Sequence, residues 1–179
     1  MWQAINSKTN ETVPNAQVIV SFDGGIEPSE GRTDHTGTYS MTVLRAPHHL
    51  QGKVFVNADG FEPFSKDFTT SNDSSERLWL DPVPKSHLQG AEIPIPVIAG
   101  RVIDSSSKSA ISHALVSLSG RSEAALTDDL GNYRILANPR LSHQIVRVQV
   151  EKPGCMTVDR NVRANEENPT LELNCVAAQ

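Results

Sequence analysis

Thr33-Asp-His-Thr-Gly-Thr-Tyr39 and Thr127-Asp-Asp-Leu-Gly-Asn-Tyr133 are the stretches on which the reading of this chain turns. Both spell Thr-Asp-x-x-Gly-x-Tyr, and each has an evident mechanical sense. An aspartate side chain accepts amide hydrogens two residues on and bends the backbone. Glycine enters the positive-φ region that such a turn needs. The tyrosine then opens a strand pointing inward, and its hydroxyl needs a hydrogen-bond partner if it is buried. The competing reading is a carboxylate cluster at a metal or catalytic site. Placement in a hairpin, twice over, favours structure.

The similarity extends to most of the chain. At an offset of 98, Ile5, Ser7, Ala16, Val18 and Ser21 fall on Ile103, Ser105, Ala114, Val116 and Ser119. An offset of 94 superimposes the two turn motifs and also pairs Val54, Val56 and Gly60 with Val148, Val150 and Gly154. An offset of 93 pairs Leu78 and Leu80 with Leu171 and Leu173. The offset changes where loops are expected, so the changes read as insertions. The chain's only two tyrosines are equivalent. Two homologous domains follow.

Pro82, Pro84, Pro94 and Pro96, with Gly90, mark the boundary. Proline lacks an amide donor and fixes φ, so this stretch suits a semi-extended connector. The expected layout is a first domain over 1–82, a Pro-rich linker over 83–96 and a second domain over 97–179. The chain of 179 residues, 37% hydrophobic and 21% charged, has globular composition. A net charge of −5 argues against a nucleic-acid partner. Residues 1–85 carry 7 basic and 11 acidic side chains and residues 86–179 carry 9 and 10, too small an asymmetry to identify a partner. The longest apolar stretch, Ile93–Ala99, is broken by prolines, so no membrane insertion is expected. No basic segment followed by an apolar core opens the chain. The expectation is therefore a cytosolic protein or a piece of a longer one.

Period-two alternation recurs in both halves. Ala16, Val18 and Val20, then Tyr39 and Met41, Val54 and Val56, and Leu78 and Leu80 form the first series. Val102, then Ala114, Val116 and Leu118, Tyr133 and Ile135, Val146, Val148 and Val150, and Leu171 and Leu173 form the second. Turn residues punctuate both, and no window shows helical spacing. An all-β sandwich or barrel is predicted.

These residues resemble the carboxypeptidase regulatory-like family. Its pattern is a Gly-x-Val strand, an Ala-x-Val strand, an Asp-x-x-Gly-x-Tyr hairpin and a later Val-x-Val strand ending near a glycine. Gly100, Val102, Ala114, Val116, Asp128, Gly131, Tyr133, Val148, Val150 and Gly154 match it in the second half. Ala16, Val18, Asp34, Gly37, Tyr39, Val54, Val56 and Gly60 match it in the first, with Trp2 where the opening glycine belongs. The resemblance implies two tandem seven-stranded transthyretin-like sandwiches and says almost nothing about function. Related collagen-binding B-type modules often carry a Lys–Asn isopeptide. The opening strands Trp2–Asn6 and Arg101–Asp104 contain no lysine, Lys8 and Lys108 lie in the following turns, and Asn174 lacks a partner. No isopeptide is expected.

Catalytic chemistry finds no constellation. Among His35, His48, His49, His87, His113 and His143, only His48 and His49 are close, and neighbours on a strand point to opposite faces. Asp23, Asp34, Asp59, Asp128 and Asp129 do not form a Ca²⁺ loop. No phosphate cradle or nucleophile elbow appears. Neither catalytic residues, nor a metal, nor a cofactor is expected. Asn10-Glu-Thr12 and Asn72-Asp-Ser74 fit the glycosylation triplet, which is too common to assign a glycan. If Thr157–Arg163 and Thr170–Cys175 form a simple hairpin, Cys175 faces Val158, with Cys155 out of disulfide reach. A sheet-crossing route would bring Cys155 and Cys175 together. A bridge and two free thiols therefore both stand.

Every Phe and Trp belongs to the first half: Trp2, Phe22, Phe55, Phe61, Phe64, Phe68 and Trp79. Most are expected in the core. Phe61, Phe64, Phe68 and Trp79 are the candidates for an exposed strip that contacts a protein or glycan. The expected function is a non-catalytic binding or spacer module of a cell-surface or secreted protein. The alternatives are a cargo or assembly adaptor of a bacterial secretion apparatus, or an accessory domain of an enzyme whose catalytic part lies elsewhere.

Overall fold

The computed structural model describes residues 1–42, 49–70, 75–83, 97–142, 144–166 and 168–176. It divides into two compact units, one of residues 1–24 and 29–92 and one of residues 93–179 with 25–28. Among the described residues both are built from strands, apart from one 3-10 turn at Pro139–Leu141. Among the described residues no helix is long and apolar enough to cross a membrane.

Among its described residues the first unit contains seven strands: β1 (Trp2–Asn6), β2 (Gln17–Phe22), β3 (Ser29–Arg32), β4 (Thr38–Tyr39), β5 (Gln51–Asn57), β6 (Phe64–Thr69) and β7 (Glu76–Leu80). They form a three-stranded sheet, β4-β1-β7, and a four-stranded sheet, β3-β2-β5-β6. Strands β1 and β7 run parallel from Trp2↔Glu76 to Asn6↔Leu80; the other neighbours are antiparallel. Trp2, Ala4, Leu78 and Leu80 from one sheet and Val18, Val20, Val54 and Val56 from the other are buried. The strand expected over Tyr39–Met41 ends at Tyr39.

The second unit repeats this plan with β8 (Val97–Asp104), β9 (Leu115–Leu118), β10 (Ala124–Leu126), β11 (Asn132–Leu136), β12 (Ile145–Glu151), β13 (Val158–Arg163) and β14 (Leu171–Leu173). Its sheets are β11-β8-β14 and β10-β9-β12-β13, and β8 and β14 are again parallel. Ile98, Val102, Val116, Leu118, Ile135, Val148, Val150 and Leu173 belong to one core cluster. The chain is therefore all-β, with two tandem seven-stranded sandwiches. The connector expected over 83–96 lies outside the described residues except for Val83, whose amide donates to the Gly60 carbonyl.

One frame of hydrogen bonds recurs in both units. The Thr33 hydroxyl donates to the Val13 carbonyl and accepts the Ala16 amide at 2.8 and 2.9 Å. Thr127 does the same between Ile111 and Ala114 at 2.7 and 2.8 Å. The Asp34 carboxylate accepts the amides of Thr36 and Thr38, and Asp128 those of Leu130 and Asn132. Gly37 and Gly131 close these turns at φ of 72° and 76°, and each carbonyl accepts the amide of the facing strand, Ala4 or Val102. A Cβ on Gly37 would meet the Ala4 carbonyl at 2.8 Å, and one on Gly131 would meet the Val102 carbonyl more closely still.

The two tyrosines differ for a packing reason. Tyr39 faces Trp2 in register and Tyr133 faces Gly100. Trp2 stacks on Tyr39 at 6.3 Å, and the Tyr39 ring lies over Gly31, where its hydroxyl reaches Ser29 Oγ at 3.2 Å. In the second unit Gly31 is replaced in register by Ala125, and the Tyr133 hydroxyl instead sits 2.7 Å from where a Cβ of Gly100 would be. The second unit thus has a glycine in place of the tryptophan on the opening strand and one added methyl on the facing sheet. The Tyr133 hydroxyl is left buried without a partner among the described residues, and burial pushes its pKa up to about 12.

Candidate partner-binding face

The four aromatic candidates occupy three different environments. Phe68 and Phe64 lie on the β6 face in register with Gly52 and Val56, toward the core. Phe68 meets Trp2 edge-on at 5.1 Å and Phe22 at 5.7 Å. A Cβ on Gly52 would lie 2.8 Å from the Phe68 ring, so the glycine makes room for it. Phe64 is half-buried opposite Val56. Phe61 is half-buried and bridges Pro82. Trp79 stands apart. It is 43% exposed, on the outer face of β7, between Leu78 and Leu80, which are buried.

Strand geometry accounts for that orientation. Successive side chains alternate faces, so Leu78 and Leu80 turned inward force Trp79 outward. Trp79 faces Ile5 across the parallel ladder. The exposed Arg77 lies two residues back on the same face. The equivalent face in the second unit pairs Ile103 with Glu172, and Glu172 accepts a salt bridge from Lys108 at 2.9 Å. One unit thus presents an aromatic platform where the other presents an ion pair. The alternation of Leu78-Trp79-Leu80 carries this signal in the sequence.

Asp34, Asp104 and Asp128 are engaged in turn architecture. The Thr36 hydroxyl, then the Thr38 amide, hold the Asp34 carboxyl below the usual carboxylate range. The Asn132 amide does so for Asp128, and the Ser107 amide and hydroxyl for Asp104. His113 takes a left-handed turn position at φ 55°, equivalent to Asn15 at 59°. His35 and His49 are exposed; His48, His87, His143 and the Asn72–Ser74 triplet lie outside the described residues. Among the described residues no group of three or more His, Cys, Asp or Glu could hold a metal ion. Asn174 takes the Ser105 hydroxyl, and Lys108 is occupied by Glu172.

Cys155 and Cys175 form a disulfide across 20 residues. The simple-hairpin geometry is corrected here. Strand β13 pairs with β12 in one sheet and β14 pairs with β8 in the other, so the chain crosses between sheets and Cys175 meets Cys155, not Val158. In the first unit the same place holds the Phe61–Pro82 bridge.

No protein-family model and no curated protein matches the chain. Solved structures with similarity include a type II cohesin–X-dockerin complex from Acetivibrio cellulolyticus, at 18% identity over 43% of this chain and 56% of that one, with a TM-score of 0.36. The Bacillus anthracis TIE protein matches at 10% identity over 98% of this chain and 33% of that one, also with a TM-score of 0.36. The shaft pilin SpaA from Lactobacillus rhamnosus GG matches at 7% identity over 97% of this chain and 95% of that one, with a TM-score of 0.33. The chain thus spans about half of the first and a third of the second. Likeness at these scores carries no argument about function, and the fold assignment rests on the strand pairing itself.

Proposed function

We propose that this chain is a non-catalytic tandem β-sandwich, of carboxypeptidase regulatory-like type, acting as a binding or spacer module of a surface or secreted protein. Trp79 carries the reading. An indole 43% exposed on the outer face of a strand leaves much of its ring uncovered, and tryptophan supplies large, rigid contact area to a protein or glycan partner. The Cys155–Cys175 bond supports an oxidising compartment. The carboxylates of the repeated turns serve backbone amides, which supports a structural role for them.

The test compares the full chain with its Trp79→Glu variant, which places in the first unit the residue type that the second carries. Both are immobilised and exposed to cell-surface extracts and to a glycan array. The variant is expected to keep its thermal midpoint and lose what the wild type retains. Retention unchanged by the substitution rejects this face as the binding surface.

A further inference from the structure

The strands that enter and leave each unit lie side by side and parallel. In the first unit these are β1 and β7, paired over five residues from Trp2↔Glu76 to Asn6↔Leu80. Tension on the two ends of the unit draws β1 toward Met1 and β7 toward Asp81. For parallel neighbours those pulls are opposed along one ladder, so its hydrogen bonds are loaded together in shear. Antiparallel neighbours pulled from a shared end would instead open one bond at a time.

The second unit has the same geometry with a shorter ladder, Val102↔Leu171 to Asp104↔Leu173. Two residues beyond β14 stands Cys175, bonded to Cys155 in the turn between β12 and β13. Strand β12 is an inner strand of the opposite sheet. A pull leaving the second unit therefore divides between the β14 ladder and the other sheet. The first unit joins the same two places without a covalent bond. Phe61 bridges Pro82, the Val83 amide donates to Gly60, and the Glu62 amide to Asp81. In the second unit the Val176 amide donates to Gly154 and the Met156 amide to Asn174. The shorter ladder is the one with the bolt.

We infer that both units are shear clamps against end-to-end tension, and that Cys155–Cys175 is the covalent part of the clamp in the second. This tension-bearing role rests on the spacer side of the proposed function. It assigns the disulfide a mechanical task that thermal stability alone does not require.

The full chain is held by handles at its two ends and stretched, oxidised and then reduced with a water-soluble phosphine. Reduction leaves two thiols and a phosphine oxide whose oxygen comes from water. Oxidised, the second unit should release a length shorter by 20 residues, ~7 nm at about 3.6 Å per residue. Reduction should lengthen that step by the same amount and lower its rupture force, leaving the first unit's step unchanged. Cys155→Ala with Cys175→Ala should match the reduced protein; the reductant arm stands if that variant does not fold. Phe61→Cys with Pro82→Cys should, when oxidised, shorten the first unit's step and raise its force. Rupture of the second unit at equal force before and after reduction overturns the clamp, as does failure of the transplanted bond to raise the first unit's force. Retention through Trp79 is read separately. An unchanged force with intact retention removes the clamp alone, whereas lost retention with the expected forces removes the binding face alone.

Discussion

Replacing Thr127 with valine tests the repeated frame at its most buried polar point. Thr127 is 3% exposed, and its hydroxyl satisfies one backbone carbonyl and one backbone amide. Valine keeps the shape and removes both bonds, leaving the Ile111 carbonyl without its donor and the Ala114 amide without its acceptor. Each orphaned buried group costs about 1–3 kcal/mol, while the added methyl returns about 1 kcal/mol. The net loss is about 3 kcal/mol, which for a unit of this size lowers the midpoint by roughly 10–20 °C. Serine keeps the hydroxyl and loses only a methyl, about 1 kcal/mol. The assay is thermal unfolding followed two ways. Both tryptophans lie in the first unit, so their fluorescence reports that unit, whereas circular dichroism reports both. Thr127→Val should lower a circular-dichroism transition and leave the fluorescence transition in place; Thr33→Val should lower the fluorescence transition together with the circular-dichroism change that accompanies it. A Thr127→Val protein within about 0.5 kcal/mol of wild type, or no worse than the serine variant, would mean that the hydroxyl does not hold the two backbone groups.

Gly131→Ala should cost more than 2 kcal/mol by denaturant unfolding, because its φ is 76° and the new Cβ would strike the Val102 carbonyl. Tyr133→Phe should be neutral or stabilising, since it removes an unpartnered hydroxyl, while Tyr39→Phe should cost about 1 kcal/mol for the lost Ser29 bond; paired urea melts read the difference. The raised Tyr133 pKa means that the unfolded chain loses its phenolic proton first, so its stabilising share falls as pH climbs from about 10 toward 12, and Tyr133→Phe should flatten that part of the stability profile. Cys155→Ala with Cys175→Ala should cost about 3 kcal/mol in the second unit from loop closure over 20 residues, measured by calorimetry.

The architecture was largely legible because its determinants are local. Asp34 and Asp128 bend their own turns, Gly37 and Gly131 permit them, and the alternating valines choose a face. Spacing alone paired the two halves. What depended on long-range packing was not legible. The partner of Cys175 follows from the crossing between sheets after β13, which sequence proximity disguises as a hairpin. The exchange of Trp2 and Gly31 for Gly100 and Ala125 required the positions of two rings across the core. For the candidate face, parity was sufficient for Trp79, but the inward docking of Phe68 on Trp2 and Phe22 needed the facing strands.

Native-state hydrogen exchange resolved amide by amide reads most directly whether one frame is built twice. Slow exchange is expected for Ala4, Val13, Ala16 and Asp34 and, alongside them, for Val102, Ile111, Ala114 and Asp128, whose amides are bonded in matching fashion. Protection at these positions in one half, with free exchange at their counterparts in the other, would contradict it.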